Sequence, residues 1–269
     1  MTDVFLPAVD DPEAITPEEL QARILFRDAL MLVLDKPSGL AVHAGGKKSV
    51  HLGQFLDHLR FGLPFVPELA HRLDRDTSGC LVFGRHKQAL KRLGALFANG
   101  RVEKTYWAVV VGHPPGEEGR IDRPLGKINA TYGWHMKVDP RGQQSITDWR
   151  LLGRTDRLSW IECHPRTGRT HQIRVHLASI GCPIVGDRVY GKGTADLLAP
   201  RLHLHARSIR IPLYPRKPAI MVTAPVAPHM AELLAACGWT GERPGNAAGG
   251  RPRTDRQKEQ KEEKAECAS

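Results

Sequence analysis

The hydrophobic pattern between residues 27 and 240 is a series of short segments with strand-like or helix-like periods. Continuous apolar runs and two-residue alternation predict strands at 31–34, 40–43, 79–83, 104–111, 146–152, 158–164, 202–211 and 219–223. Apolar residues three or four apart predict helices after Ser49, over 90–97, after Thr170 and from Pro228. Helices that interrupt the strands without strict alternation favour the α+β class, with a mixed and largely antiparallel sheet.

The two ends of the chain differ from this region in composition. Residues 1–26 are rich in proline and acidic residues, so we expect a flexible N-terminal arm. Residues 241–269 contain almost no apolar side chains and many charges of both signs. Such a segment buries too little apolar surface to offset the entropy of ordering, and we predict a disordered tail. The sequence thus predicts one folded domain, at 27–240, without an internal repeat.

The charge of the chain points to a polyanionic partner. With 39 Lys and Arg against 29 Asp and Glu, the formal net charge is +10. Such a balance favours nucleic acid as a partner, although it serves solubility equally well.

The cysteines and the start of the chain indicate a compartment. Five cysteines without a CxxC pair support neither a disulfide framework nor a zinc ribbon, and this usage is typical of a reducing cytoplasm. The acidic N-terminus lacks the basic and apolar regions of a secretory signal. No apolar run is long enough to cross a bilayer. We therefore expect a cytoplasmic protein.

The segment HRLDRDTSG, at 71–79, holds the leading candidate for chemistry. Asp74 has Arg72 and Arg75 at short range, and guanidinium groups favour the ionised form of a carboxylate. An ionised aspartate in a cleft can act as a nucleophile or as an electrostatic partner. Gly79 permits a backbone turn that other residues resist. From the residues alone, a structural ion pair is the commoner explanation for Asp74.

A resemblance to a known family changes that balance. HRLDRDTSG closely resembles the HRLDxxTSG signature of the RluA-type pseudouridine synthases. Four more segments resemble motifs of this family in the same order: LDKPSGLAVHAGG at 34–46, KTYWAVVVG at 104–112, GRTHQIRVHLASIGCPIVGDRVYG at 168–191 and LHLHA at 202–206. Several motifs in their expected order are far more specific than any one of them. The chain resembles the short members, since too few residues precede the opening motif for an N-terminal S4 RNA-binding domain.

The resemblance implies a fold and a reaction. The fold is that of the pseudouridine synthases, a mixed sheet with flanking helices and a central active-site cleft. The reaction breaks the N1–C1′ bond of uridine in RNA and rejoins the base through C5. As an isomerisation it needs no cofactor and no metal. Asp74 matches the catalytic aspartate, which could attack C1′, add to C6 or abstract the 2′ proton; the sequence leaves these three open.

The resemblance also implies roles for five other residues. Arg72 matches the arginine that fills the space left by the flipped base, and flipping costs a few kcal/mol. Tyr106 matches the active-site tyrosine, on the strand face that carries Ala108 and Val110. Arg174 matches the arginine that pairs with the catalytic carboxylate and keeps it ionised. Arg169 and His171 belong to the same motif; we place them at the substrate, and a role in holding the loop explains them equally well.

The expected partner is RNA, either tRNA or ribosomal RNA or both. We expect a monomer without an obligate protein partner. The segment 127–141 carries aromatic and basic residues that suit contact with unpaired RNA, and a hairpin covering the core explains it equally well. His203 and His205 have no third ligand at metal spacing, so we expect no metal site there.

Two other classes of function remain as alternatives. A nucleosidase or glycoside hydrolase built on Asp74 would need a second carboxylate to activate water, and Asp76 is the nearest in sequence. A non-catalytic RNA-binding module would retain the fold and tolerate replacement of Asp74.

Overall fold

The fold is organised around one mixed sheet. The computed structural model describes residues 15–44, 50–128, 135–191, 193, 195 and 198–241. Its strands, in chain order, are β1 (Ile24–Arg27), β2 (Met31–Lys36), β3 (Glu68–Leu69), β4 (Ser78–Gly84), β5 (Glu103–Val111), β6 (Glu118–Asp122), β7 (Leu125–Lys127), β8 (Met136–Val138), β9 (Ile146–Arg154), β10 (Leu158–Pro165), β11 (Leu204–Ile211) and β12 (Ile220–Thr223).

Ten of these strands form the sheet, and β7 and β8 form a separate hairpin. The main path is β1-β2-β4-β11-β5-β10-β9-β6, with β12 paired to β11 and β3 paired to β4. Among the strands described, β4 and β11 make the single parallel pair, in which Ser78 lies opposite His205 and Gly79 opposite Ala206. The α+β class and the mixed, largely antiparallel sheet predicted from the sequence are confirmed.

In the described part of the chain, four α-helices and one 3-10 helix flank the sheet. They are α1 (Pro17–Ala22), the 3-10 helix Leu52–Leu59, α2 (Lys87–Ala98), α3 (Gln172–Ser179) and α4 (Pro228–Ala236). α2 begins where the His86 side chain accepts from the Ala89 amide. α3 ends before Gly181, whose φ of +80° is the left-handed conformation expected at C′.

The core consists of three apolar clusters on the sheet faces. One surrounds β2 and β4 with Leu81 and Phe83, and a second lies between α3 and the strands β5 and β10. A third places α4 against the other face of β5 and β10. Tyr106 packs against both of the first two clusters. It therefore stands at the seam between them, where the sheet presents its cleft.

The sequence prediction for residues 1–26 is wrong where the structure describes them. Residues 1–14 lie outside the described residues, but Thr16 and Glu19 form a reciprocal capping box that starts α1. Leu20 is completely buried, and β1 pairs with β2. The folded domain thus includes residues 15–26 of the segment that was expected to be a flexible arm. Of the predicted tail at 241–269, only Gly241 is described.

Two local predictions between β2 and the 3-10 helix also need correction. No strand forms over 40–43; Ala41 makes only an isolated bridge to His51, while Leu40 and Val42 pack into the core. Ser49, after which a helix was predicted, lies outside the described residues; the helix that follows is of the 3-10 type, with His51 at its N-cap position.

Within the described residues, none of the helices has the length and hydropathy that a membrane span requires.

Candidate active site

One cleft brings together all six residues that the sequence singled out. Its walls are the loop before β4, the strand β5 and the segment that leads into α3. The six are Arg72, Asp74, Tyr106, Arg169, His171 and Arg174. They span about a hundred positions of the chain, so the fold rather than local sequence makes them neighbours.

The loop that carries Asp74 is fixed from behind by the turn after β2. The Lys36 side chain is fully buried, and its ammonium donates to the carbonyls of Pro37, Leu40 and Arg75 at 2.8, 2.9 and 2.8 Å. Ser38 donates to the Asp76 carbonyl at 2.7 Å. Burial lowers the pKa of Lys36 to about 7. This turn holds the backbone on the C-terminal side of Asp74.

Gly79 lets the same loop enter the sheet. Its φ is +102°, and a Cβ at this position would overlap the backbone of Ala206. Glycine alone combines that conformation with so close an approach. The parallel pairing of β4 with β11 therefore depends on this residue.

Arg174 is held by a carboxylate that the sequence analysis overlooked. Its Nε and Nη2 donate to the two oxygens of Asp187 at 2.8 Å each, and both side chains are almost completely buried. Nη1 then points to Asp74, 3.8 Å from Oδ2. A bidentate pair with Asp187 thus fixes the plane of the guanidinium beside Asp74. Burial raises and this arginine lowers the pKa of Asp187, with a net decrease.

The electrostatics of Asp74 differ from the sequence expectation. Burial raises its pKa above the ordinary value, while Arg174, Arg72 and Lys36 act in the opposite direction. We expected arginines on both sides to dominate, but Arg75 pairs instead with Asp76 at 3.2 Å. The Asp74 side chain exposes 18% of its surface. It is thus a partly desolvated carboxylate with an open side toward the cleft.

His171 lies beside Asp74 in an unusual backbone conformation. It is the N-cap of α3 with φ 52° and ψ 19°, a left-handed conformation that is costly for a residue with a Cβ. Its Nε2 is 3.8 Å from Asp74 Oδ2, and its Nδ1 is 2.8 Å from the Tyr190 hydroxyl. Burial lowers the pKa of His171 to about 3. The ring is therefore neutral near pH 7 and acts as a hydrogen-bonding group.

Tyr106 forms the wall of the cleft opposite α3. It is paired with Cys163 of β10 and shares a sheet face with Ala108 and Val110, as the strand alternation predicted. Burial raises the pKa of its phenol. The partly buried side chain lines the cleft.

Cationic side chains line the outer part of the cleft. Arg72 and Arg169 are exposed, and Arg169 makes one long hydrogen bond, 3.3 Å, to the Gln144 carbonyl. Lys104 lies deeper, where burial lowers its pKa to about 8. Arg166, also exposed, binds Asp148 at 2.6 Å.

The carboxylates of the cleft are fewer than its cations. Among the described residues that line it, Asp74 is the single acidic side chain. No group of three or more His, Cys, Asp or Glu side chains in the described part of the chain is arranged to hold a metal ion. His205, considered above, hydrogen-bonds Ser78 at 2.9 Å in the interior.

Sequence reasoning missed Lys36, Asp187 and Tyr190. All three lie inside segments already matched to family motifs, DKPSG and GDRVYG. Of the segment 127–141, residues 129–134 lie outside the described residues, and the rest forms the β7–β8 hairpin. Its contact with RNA stays a prediction.

Comparison with known proteins adds independent findings. The family model described as RNA pseudouridylate synthase matches residues 30–179. An uncharacterized RNA pseudouridine synthase of Zymomonas mobilis is 41% identical over 80% of this chain and 98% of its own length. Ribosomal large subunit pseudouridine synthase C of Vibrio cholerae is 36% identical over 85% of this chain and 73% of its own.

Solved structures agree with the sequence relatives. Human RNA pseudouridylate synthase domain containing 4 superposes with a TM-score of 0.70 at 25% identity, covering 81% of this chain and 94% of the human one. The corresponding human domain-containing 1 protein gives a TM-score of 0.64 at 28% identity. The chain therefore belongs to the RluA-type RNA pseudouridine synthases, isomerases that convert uridine in RNA to pseudouridine.

Proposed function

We propose that Asp74 is the catalytic carboxylate of this isomerase and that its substrate is a uridine in ribosomal RNA or tRNA. The observation that carries the proposal is the charge pattern of the cleft: among its described lining residues there is one carboxylate, surrounded by arginine and lysine. A polyanionic substrate matches the cations, and a reaction that needs one carboxylate matches Asp74.

The same pattern argues against a hydrolase. Hydrolysis of a glycosidic bond generally uses two carboxylates, one of which activates water. Asp76 pairs with Arg75 and does not line the cleft, and Asp187 is occupied by Arg174. An isomerisation has no such requirement, because the base itself returns to C1′.

Each residue of the cleft has a task in the proposed reaction. The N1–C1′ bond breaks, the C5–C1′ bond forms, and the proton lost from C5 is balanced by one gained at N1. Asp74 supplies the carboxylate at the sugar or base, with Arg174 to stabilise its charged form. Tyr106 supports the uracil ring from the sheet. His171 lies next to the carboxylate. Arg72 fills the space of the flipped base and, with Arg169, contacts the phosphates.

Ribosomal RNA is the preferred substrate class, since the Vibrio cholerae relative is named for the large ribosomal subunit. The test is to map pseudouridines across total rRNA and tRNA from cells with and without the gene. Loss of a site in 23S rRNA alone supports this preference. Loss of a site only in tRNA contradicts it.

We further propose that the chain acts as a monomer. The cleft is complete within one chain, since all six candidate residues and the partner of Arg174 belong to it. Sedimentation of the purified protein at the concentration of the assay tests this. A dimer that dissociates with loss of activity would overturn it.

The role of Asp74 is tested by Asp74→Asn, with Asp76→Asn as the matched control. Removing the carboxylate charge at Asp74 is expected to lower the rate of pseudouridine formation by at least about 10³-fold, while RNA binding survives. The control should retain activity, because Asp76 lies outside the cleft lining. Isomerase activity retained in Asp74→Asn would refute the assignment.

A further inference from the structure

A second chain of contacts reaches Asp74 from the side of α3, through a residue that no part of the proposed reaction uses. The Met136 amide at the start of β8 donates to the Tyr190 hydroxyl oxygen at 2.9 Å. That hydroxyl lies 2.8 Å from His171 Nδ1. The other ring nitrogen, Nε2, lies 3.8 Å from Asp74 Oδ2.

We propose that Tyr190 is a positioning residue for Asp74, which fixes the ring orientation and tautomer of His171 so that Nε2–H faces the carboxylate. The proposal deepens the proposed function and rests on Asp74 being the catalytic group. Tyr190 itself need not touch the substrate.

One assignment of the hydrogen bonds gives every donor in this chain of contacts an acceptor. The Tyr190 hydroxyl oxygen accepts a hydrogen bond from the Met136 amide. Its own proton is then available for His171 Nδ1, which must be an acceptor to receive it. A neutral imidazole with Nδ1 as acceptor carries its proton on Nε2. That proton faces a carboxylate oxygen of Asp74. In the opposite tautomer the lone pair of Nε2 would face the same oxygen.

Tyr190 is itself held rigidly enough to act in this way. Its amide donates to Asp187 Oδ1 at 3.0 Å, and the amide of Val189 donates to the same oxygen at 2.9 Å. Asp187 is also the carboxylate that orients Arg174, whose guanidinium carbon lies 5.1 Å from the centre of the Tyr190 ring. One turn therefore places both groups that approach Asp74 from α3.

The strained backbone of His171 supports the same assignment. A residue with a Cβ keeps a left-handed backbone conformation only where several surrounding contacts hold it there. Such residues cluster at functional sites. The ring is clamped by the Tyr190 hydroxyl at one nitrogen, and the two rings meet edge to face at 5.6 Å. The strain thus serves to present one edge of the imidazole to Asp74.

The ionisation of Asp74 depends on all the charged and titratable groups around it. Besides His171 and Tyr190 these are Arg174, Arg72, Lys36, Asp76 and Tyr106. Tyr190→Phe removes one hydroxyl and changes none of the other side chains. A change in the pH profile of this variant therefore reports the loss of the Tyr190 hydroxyl and of its contact with His171.

The first experiment compares Tyr190→Phe with Tyr214→Phe. Both replacements delete a hydrogen-bonded hydroxyl, and Tyr214 bonds Asp28 at 2.7 Å away from the cleft lining. For Tyr190→Phe we expect kcat to fall about fivefold with KM changed less than about twofold. We also expect the acid limb of the kcat profile to move to higher pH by about 0.5 unit, because the Nε2–H dipole of His171 is no longer held facing the carboxylate. Tyr214→Phe should show neither effect.

Two outcomes of this comparison would overturn the proposal. One is an unchanged acid limb in Tyr190→Phe, whatever its rate. The other is an equal loss of kcat in both variants, which would report a general loss of folded protein. Thermal unfolding of each variant accompanies the kinetics.

The second experiment measures the tautomer of His171 directly and needs no activity assay. In the intact protein labelled with ¹⁵N-histidine, the His171 signals, identified by their loss in His171→Asn, should show a protonated Nε2 and an unprotonated Nδ1 at pH 7. The Nδ1–H tautomer or a cationic ring would contradict the proposal. Failure of the proposed function would instead show as activity retained in Asp74→Asn, with this tautomer unchanged.

Discussion

Two arginines of the cleft, Arg174 and Arg72, carry the same charge in opposite settings. Arg174 is buried, locked in plane by Asp187 and 3.8 Å from Asp74. Arg72 is exposed on the loop that carries Asp74. The interior cation is oriented before RNA arrives, which suits stabilisation of charge at the reacting atoms. The rim cation is left to the solvent, which suits contact with phosphates whose position varies.

The contrast between the buried and the exposed arginine indicates at which positions a substitution affects both stability and activity. A buried charge that loses its partner costs the folded state several kcal/mol, whereas an exposed charge costs almost nothing. Substitutions inside the cleft should therefore change folding and catalysis together. Those at the rim should change RNA affinity without changing the stability of the fold.

The largest effect is expected from Asp187→Asn. It leaves the Arg174 charge buried without its carboxylate, and we expect the free energy of unfolding to fall by about 3–5 kcal/mol. Denaturant unfolding measures the loss, and single-turnover assays on folded protein measure the fall in rate. Asp57→Asn, at an exposed pair with Arg60, is the control and should cost less than about 1 kcal/mol. Equal losses of unfolding free energy in the two variants would contradict the distinction between interior and exposed charges.

A somewhat smaller effect is expected from Lys36→Met. It removes three hydrogen bonds and leaves buried carbonyls of Pro37, Leu40 and Arg75 to find other partners. We expect unfolding to become easier by about 3 kcal/mol, together with a lower kcat, because the Asp74 loop loses its support. If stability falls while kcat in the folded fraction is unchanged, the turn supports the fold without placing Asp74.

Mild acid should destabilise the interior through its neutral histidines. Burial lowers the pKa of His71, His171 and His205 to about 3, below the ordinary value of 6.5. Between these values the unfolded chain binds more protons, so stability is complete above pH 6.5 and falls as the pH decreases. At pH 6 each histidine costs about 0.8 kcal/mol, or about 2.5 kcal/mol for the three. Urea unfolding at pH 7.5 and pH 6 measures the difference, and equal midpoints would contradict the prediction.

The smallest effects are expected at the rim. Arg72→Gln and Arg169→Gln should leave the unfolding midpoint unchanged and weaken RNA binding by about 1 kcal/mol each. Each should reduce the slope of log affinity against log salt by about 1, since one phosphate contact is lost. Arg154→Gln, an exposed arginine outside the cleft lining, is the control. A salt slope that stays at the wild-type value would mean that these arginines do not contact phosphates.

The sequence was sufficient for the class of fold and for most strands and helices. β5, β9 and β10 follow the predicted segments closely, because their β-branched and aromatic residues alternate cleanly. α1 was missed although Thr16, Pro17 and Glu19 carry a capping box, since acidic and proline-rich composition outweighed this short signal. The apolar run at 40–43 was misread as a strand because burial alone does not supply a pairing partner.

The residues of the candidate site were predicted from sequence motifs, but the electrostatics of the site were not. Sequence places Arg174 and Asp74 a hundred residues apart without showing that Asp187 takes two of the arginine's donors. Nor does it show that burial outweighs the nearby guanidinium groups in setting the Asp74 pKa. Both depend on which side chains share a desolvated volume, a property of the folded chain rather than of spacing.

The close contact between Gly79 and Ala206 has a consequence for the order in which the enzyme is built. The two residues lie 127 positions apart, and their strands must pair before the loop of Asp74 acquires its final place in the sheet. Contacts of such long sequence separation form slowly, since loop closure precedes any gain from pairing. During synthesis the cleft therefore stays unfinished until β11 has left the ribosome, so a nascent chain bearing Asp74 is inactive toward the RNA around it.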